Sequence, residues 1–230
     1  MYPSVVLYVT LYLISPYINL LIAILNKEQF KKLIIILFCL FSVCSFGVDL
    51  LENLWERNLV GLSTVGMYGS QYGYTIVNFV LIYFIGAYIR IHGIKMQKRK
   101  IVIRISFLII ILYVASNIER VMGLTGRCSW YYNNPIIIIL TCYIIVLFSR
   151  YNFYNKVINE LAKGCFTCFI LHAYLVKYLA IQEAATANLL YLIPHQIGCA
   201  VVLYIVSYFV YVIYGFYNMW ILKIASVLMK

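Results

Sequence analysis

The sequence predicts an all-α protein, a polytopic integral membrane bundle of about seven transmembrane helices. Three observations predict it. The chain is 65% apolar and 11% charged, whereas soluble domains run near about 45–50% and 25%, and so large an apolar excess does not fit one water-soluble core. The apolar residues come in long runs, and each spans or approaches the roughly 17–25 residues that cross a bilayer. The basic residues gather between the runs, on alternate connections.

The first run, Pro3–Leu25, follows Met1 and Tyr2 with none of the basic residues and small-residue cleavage site of a signal peptide. Leu33–Val48 is short for a span and borrows flanking residues. Tyr74–His92 and Ile101–Ile118 follow. Pro135–Phe148 opens on a proline, whose missing N–H costs nothing in a first helical turn. Gly164–Ile181 and Gln196–Leu222 complete the set. No segment repeats another, and residues 1–230 read as a single transmembrane domain.

Charge placement sets an orientation. Asn26–Lys32, Arg90–Arg104, Ser149–Lys163 and the C-terminal tail carry 14 of the 18 Lys and Arg residues, leaving Arg57, Arg120, Arg127 and Lys177 on the other side. Positively charged short loops stay in the cytoplasm. The expectation is a plasma-membrane protein with a cytoplasmic C-terminus and, after seven spans, an external N-terminus. An external N-terminus on a first helix is the pattern of a chain lacking an odd number of preceding helices. The net charge of +11 sits in these short clusters without a basic, aromatic-lined groove, so nucleic acid is excluded as a partner. The seven cysteines are scattered through apolar runs and form no disulfide framework.

Four stretches carry a family resemblance: Tyr12-Leu13-Ile14-Ser15-Pro16-Tyr17-Ile18-Asn19, Phe84-Ile85-Gly86-Ala87-Tyr88-Ile89-Arg90, Tyr132-Asn133-Asn134-Pro135, and Ile158-Asn159-Glu160-Leu161-Ala162 leading to Phe166 and Ile170-Leu171-His172. In this order they resemble the C-terminal part of the acyltransferase 3 family, bacterial membrane enzymes many of which O-acetylate cell-surface polysaccharides. Asn134 stands where that family often has Ser, and Thr167-Cys168-Phe169 where it often has Gly-x-Tyr. The resemblance implies a membrane O-acyltransferase that moves an acyl group, acetyl above all, from cytoplasmic acyl-CoA to a hydroxyl of a surface glycan such as a capsule or O-antigen. It also implies that the family's catalytic base lies in N-terminal helices that the matched part does not include. No residue here is therefore assigned as the base, and the chain is expected to be a truncated one, inactive unless such a segment is supplied in trans. A non-catalytic transport or scaffold subunit is the alternative, although no Gly/Pro-broken helices in matched halves mark a transporter.

Candidate cavity-lining residues are His172, Arg90, Asn19, Glu119 and Arg120. His172 lies within an apolar run, where an ionisable group is either functional or tied to a neighbouring helix. Cys165, Cys168 and His172 share a helical face with zinc-ligand chemistry, but a fourth ligand is missing, and no metal is expected. Arg90 beside the run Lys95–Arg104 suits the phosphates of acyl-CoA or lipid headgroups, and suits topology alone equally well. Glu119 and Arg120 are an acid and a base placed to orient a sugar hydroxyl, although neighbours on a helix point apart. The stretch Asp49–Gly73, with Gly61, Gly66, Gly69 and Gly73 and with Trp55, Tyr68, Tyr72 and Tyr74, reads as an outer loop. It is either a saccharide-stacking lid or a flexible interfacial connection.

Overall fold

A computed structural model describes residues 3–124, 128–151, 154–179 and 189–228. The described residues are helical apart from turns and connections. Among the described residues eight α-helices form: α1 Pro3–Ile24, α2 Lys27–Trp55, α3 Ile76–His92, α4 Lys98–Val121, α5 Pro135–Phe148, α6 Lys156–Ala162, α7 Cys165–Leu175 and α8 Leu189–Leu228. Among the described residues five stretches are long and apolar enough to cross a membrane, in α1, α2, α4, Cys128–Phe148 and α8, and α3 is a shorter apolar helix of 17 residues. Their outer faces are apolar too: Phe107 is 61% exposed and Ile110 59%. A soluble protein rarely exposes continuous apolar surface of this kind, so the chain is membrane-embedded.

Contacts divide the chain into two compact units, Met1–Asn152 and Phe153–Lys230. In the first unit, α1 runs through Pro16, whose ring nitrogen offers no hydrogen to the Tyr12 carbonyl one turn back. Ser15 Oγ donates to that carbonyl at 2.8 Å, a repair that matters where water is absent. α2 begins at a capping box: Gln29 N–H donates to Asn26 Oδ1 (2.9 Å) and Asn26 N–H to Gln29 Oε1 (3.1 Å). It passes through a π-helical segment, Cys39–Cys44, and ends at Glu56 in the left-handed conformation. The sequence reading of this helix as Leu33–Val48 was too short at both ends. The capping box moves its start to Lys27. At the other end Asp49 stays in register because its carboxyl finds partners across the fold. Asp49–Trp55 is therefore helix, not loop.

α5 matches its expected bounds, since Asn134 accepts the Ile136 N–H at 2.8 Å immediately before Pro135. α3 is capped by Thr75 and stopped by Gly93 at φ +62°. Phe30, at the start of α2, packs on Phe84, Tyr88 and His92 of α3 with ring centroids 6.0, 5.5 and 6.3 Å away. Arg150 donates to the carbonyls of Ile94 (2.5 Å) and Met96. These contacts gather the basic stretches around Lys27, Lys95–Arg104 and Arg150 at one end of the unit, called here the basic end. The opposite end holds the α2 C-terminus, the α3 N-terminus and the residues leading into α5.

In the second unit, Asn155 caps α6 through the N–H groups of Val157 and Ile158. Glu160 and Lys163 pair at 2.7 Å on the surface, and the carboxylate's hydrogen bond raises the pKa of Lys163. α7 packs on α8. A Cβ on Gly164 would lie 3.0 Å from the Tyr208 ring, and Tyr204 donates its hydroxyl to the Leu161 carbonyl. α7 is 11 residues, followed by a 3₁₀ turn Val176–Tyr178, so the expected helix Gly164–Ile181 is shorter. Its last residues, like Arg127 and Glu183, lie outside the described residues.

Candidate functional site

A buried polar network closes the end of the first unit opposite the basic loops. Its centre is Asn133, 1% exposed. The Asn133 side-chain amide donates toward Asp49 Oδ2 (2.9 Å), Ser70 Oγ (2.9 Å) and Ser45 Oγ (3.2 Å), and the Asn133 backbone carbonyl accepts from Ser42 Oγ at 2.8 Å. Asp49, 7% exposed, also accepts the Ser70 N–H at 3.0 Å and the Ser70 hydroxyl. Ser42 and Ser45 flank the end of the π-helical segment of α2. Such segments recur at functional sites because they re-aim side chains. Two amide oxygens in this region, Asn133 Oδ1 and Asn78 Oδ1, are buried with no hydrogen-bond partner.

The loop before α3 is fastened to this network. Tyr132 N–H donates to Tyr72 O at 2.9 Å, and Asn78 Nδ2 donates to Gly73 O (3.0 Å) and Tyr132 O (3.3 Å). Gln71 and Tyr72 both hold left-handed backbone, at φ +51° and +59°. Non-glycine residues rarely adopt it, at a cost of about 1–3 kcal/mol each. The expected loop is therefore pinned and strained, not loose. It walls a basin of about 620 Å³ lined by Asp49, Glu52, Asn53, Asn58, Gln71 and the rings of Tyr68, Tyr72 and Tyr131, among others. Carboxyls, amides and flat rings together suit a polyhydroxylated ligand, whose hydroxyls donate to oxygen while its C–H faces stack. Trp55 and Tyr74 do not line it. Tyr74 instead packs on Tyr132, centroids 4.5 Å apart.

Asn19 and Arg90 share a second hollow of about 540 Å³ between α1 and α3, together with Tyr83 and Gly86. Tyr83 donates its hydroxyl to Asn19 Oδ1 at 2.8 Å. Glu119 and Arg120 line a third, of about 730 Å³, but do not act as a pair. Glu119 Oε1 accepts the Ser129 N–H at 2.8 Å, and Arg120 donates to Asn117 Oδ1 at 3.3 Å. His172 is exposed in the last turn of α7, its Nδ1 2.6 Å from Phe169 O in the same helix. Among the described residues no three His, Cys, Asp or Glu side chains form a group fit for a metal.

Sequence reasoning overlooked Asp49, Ser70 and Asn133 as a unit. The available signal was the Tyr132–Pro135 stretch itself, whose two asparagines face opposite tasks: Asn134 caps α5 while Asn133 reaches α2. No family model, no curated protein and no solved structure matches the chain. The class that fold and hollows define is a multi-helix membrane protein with hollows that carry polar side chains toward both ends of its first unit.

Proposed function

We propose that the chain is part of a plasma-membrane O-acyltransferase that modifies a surface glycan. The supporting observation is where the stretches that resemble the acyltransferase 3 family fall: two of the four line one hollow of the first unit together, and a third hydrogen-bonds the wall of another. Asn19 and Arg90 come from separate stretches and share the hollow toward the basic end. Asn133 comes from a third and holds the wall of the saccharide-like basin at the far end. A cytoplasmic acyl-CoA and an external glycan need such openings on opposite faces. Arg90 supplies a guanidinium for the donor's phosphates, and Tyr72, Tyr131 and Asn53 supply rings and an amide for the acceptor. Transfer forms an ester C–O bond and breaks the thioester C–S bond, and the hydroxyl proton passes to a base. By resemblance that base belongs to the family's N-terminal helices.

The test expresses the chain in a host lacking its own acylating enzyme, with the family's N-terminal helices supplied in trans, and measures ester-linked acyl groups on the surface polysaccharide. Acylation is expected in that combination, with a roughly tenfold or larger loss at unchanged membrane level in Arg90→Gln, the scale of a lost charge-assisted contact, and in Tyr131→Ala, which removes a stacking ring. Unmodified polysaccharide in every combination would favour the transport or scaffold reading.

The proposed orientation makes a separate prediction. A reporter fused after Lys230 is expected to behave as cytoplasmic, and one inserted at Gly69 as external. A cytoplasmic Gly69 would place the basin on the donor side and reverse the assignment of the two hollows.

A further inference from the structure

We infer that the hollow between α4 and α5 is a binding site for a bilayer phospholipid with an anionic headgroup, its phosphate against Arg120. This inference is independent of the acyltransferase reading. The hollow is graded along its length. Ile109, Leu112, Tyr113 and Leu140 line one part, and Ser116, Asn117, Glu119, Arg120 and Trp130 the other. On α4 the residues Ile109, Tyr113, Ser116, Asn117 and Arg120 recur at helical spacing and so form one stripe. From Ile109 to Arg120 that stripe climbs about 16 Å at 1.5 Å per residue, close to the thickness of one leaflet's hydrocarbon, about 15 Å. The apolar part thus lies toward the middle of the Lys98–Val121 span, and the polar part at its end. A lipid has this gradient, and a water-soluble sugar would leave the apolar depth unused.

The charge is complementary as well. Arg120 is exposed in the last turn of α4, and among the described residues no carboxylate lies within ion-pair distance of it. The adjacent Glu119 is only 9% exposed and is committed to Ser129 N–H. Guanidinium is the side chain best shaped to hold a phosphate through paired N–H groups. Trp130 Nε1 donates to Ser116 Oγ at 3.3 Å, which holds the indole at the hollow's edge, the depth where tryptophan favours headgroups.

Trp130 also reports occupancy. The chain has three tryptophans. Replacing Trp55 and Trp220 by phenylalanine leaves Trp130 as the single emitter. In phosphatidylcholine vesicles, brominated phosphatidylglycerol is expected to quench it at a roughly fivefold lower mole fraction than brominated phosphatidylcholine, the effect of one basic residue near an anionic headgroup. Arg120→Gln is expected to remove that preference, and Arg120→Lys to keep most of it. A companion protein with Trp130→Phe and Tyr151→Trp reports the basic end, where Arg120→Gln is expected to change nothing. Far-UV circular dichroism of each variant checks that the helices persist. Equal quenching by the two lipids, or a preference that Arg120→Gln leaves intact, would overturn the site. Displacement by millimolar inorganic phosphate would also overturn it, by assigning the site to a soluble phosphate instead.

Discussion

Gly73→Ala is expected to destabilise the first unit by about 2–5 kcal/mol, combining the left-handed penalty of about 1–2 kcal/mol with an overpacking cost of about 1–3 kcal/mol. Gly73 has φ +85°, and a Cβ there would lie 2.4 Å from the Asn133 nitrogen and 2.8 Å from the Tyr132 carbonyl carbon. Those are backbone atoms, which cannot rotate away. Relief requires pulling the Gln71–Gly73 turn off the Tyr132–Asn133 segment, which breaks the Tyr72–Tyr132 and Gly73–Asn78 hydrogen bonds together. Gly86→Ala is the control, because a Cβ there meets nothing within 4 Å. In mid-helix that change is expected to be neutral or to stabilise by up to about 1 kcal/mol. Thermal melting of the two variants in one detergent or nanodisc gives the comparison. Matching midpoints would show that the turn is not clamped.

The fold was legible for a simple reason: a bilayer sorts residues by long runs, and long runs survive any uncertainty in packing. α1 and α5 were placed nearly to the residue, α5 because Asn134-Pro135 is a start signal with a mechanism. The misplaced end of α2 shows the limit. A carboxyl at position 49 reads as the edge of a span unless its partners are known, and its partners are 21 and 84 residues away. The same distance hid the network. Serines at 42, 45 and 70 and an asparagine at 133 are unremarkable singly, and no periodicity connects them. The glycines marked a turn but could not say that Gly73 lies on another backbone. That Glu119 and Arg120 point apart was legible from their adjacency, but their partners were not. On a helix that adjacency turns them to different partners, Glu119 to the Ser129 N–H and Arg120 to Asn117.

Asn133→Leu is expected to cost the first unit about 2–4 kcal/mol, even though leucine keeps the branched shape of asparagine. The loss is polar. Asp49 Oδ2 keeps only the Ser70 hydroxyl, and the hydroxyls of Ser45 and Ser70 lose an amide donor. A buried acceptor left short of donors costs about 1–3 kcal/mol, and more where it is a carboxylate. Asp49→Leu alone should cost a similar amount, because it leaves the Ser70 N–H and hydroxyl without their acceptor, takes one of three acceptors from the Asn133 amide, and frees the Ser70 turn. The decisive measurement is the double variant. If the two side chains act as one unit, removing both leaves fewer stranded groups than the singles predict. The combined loss should then fall short of the sum by about 1–3 kcal/mol. Urea or thermal unfolding followed through near-UV signals would read this, since Tyr72 and Tyr131, with ring centroids 4.8 Å apart, report the same end of the bundle. Additive losses would mean that Asp49 and Asn133 sit side by side without coupling. The basin wall would then have to be held by the Tyr72–Tyr132 and Gly73–Asn78 contacts alone.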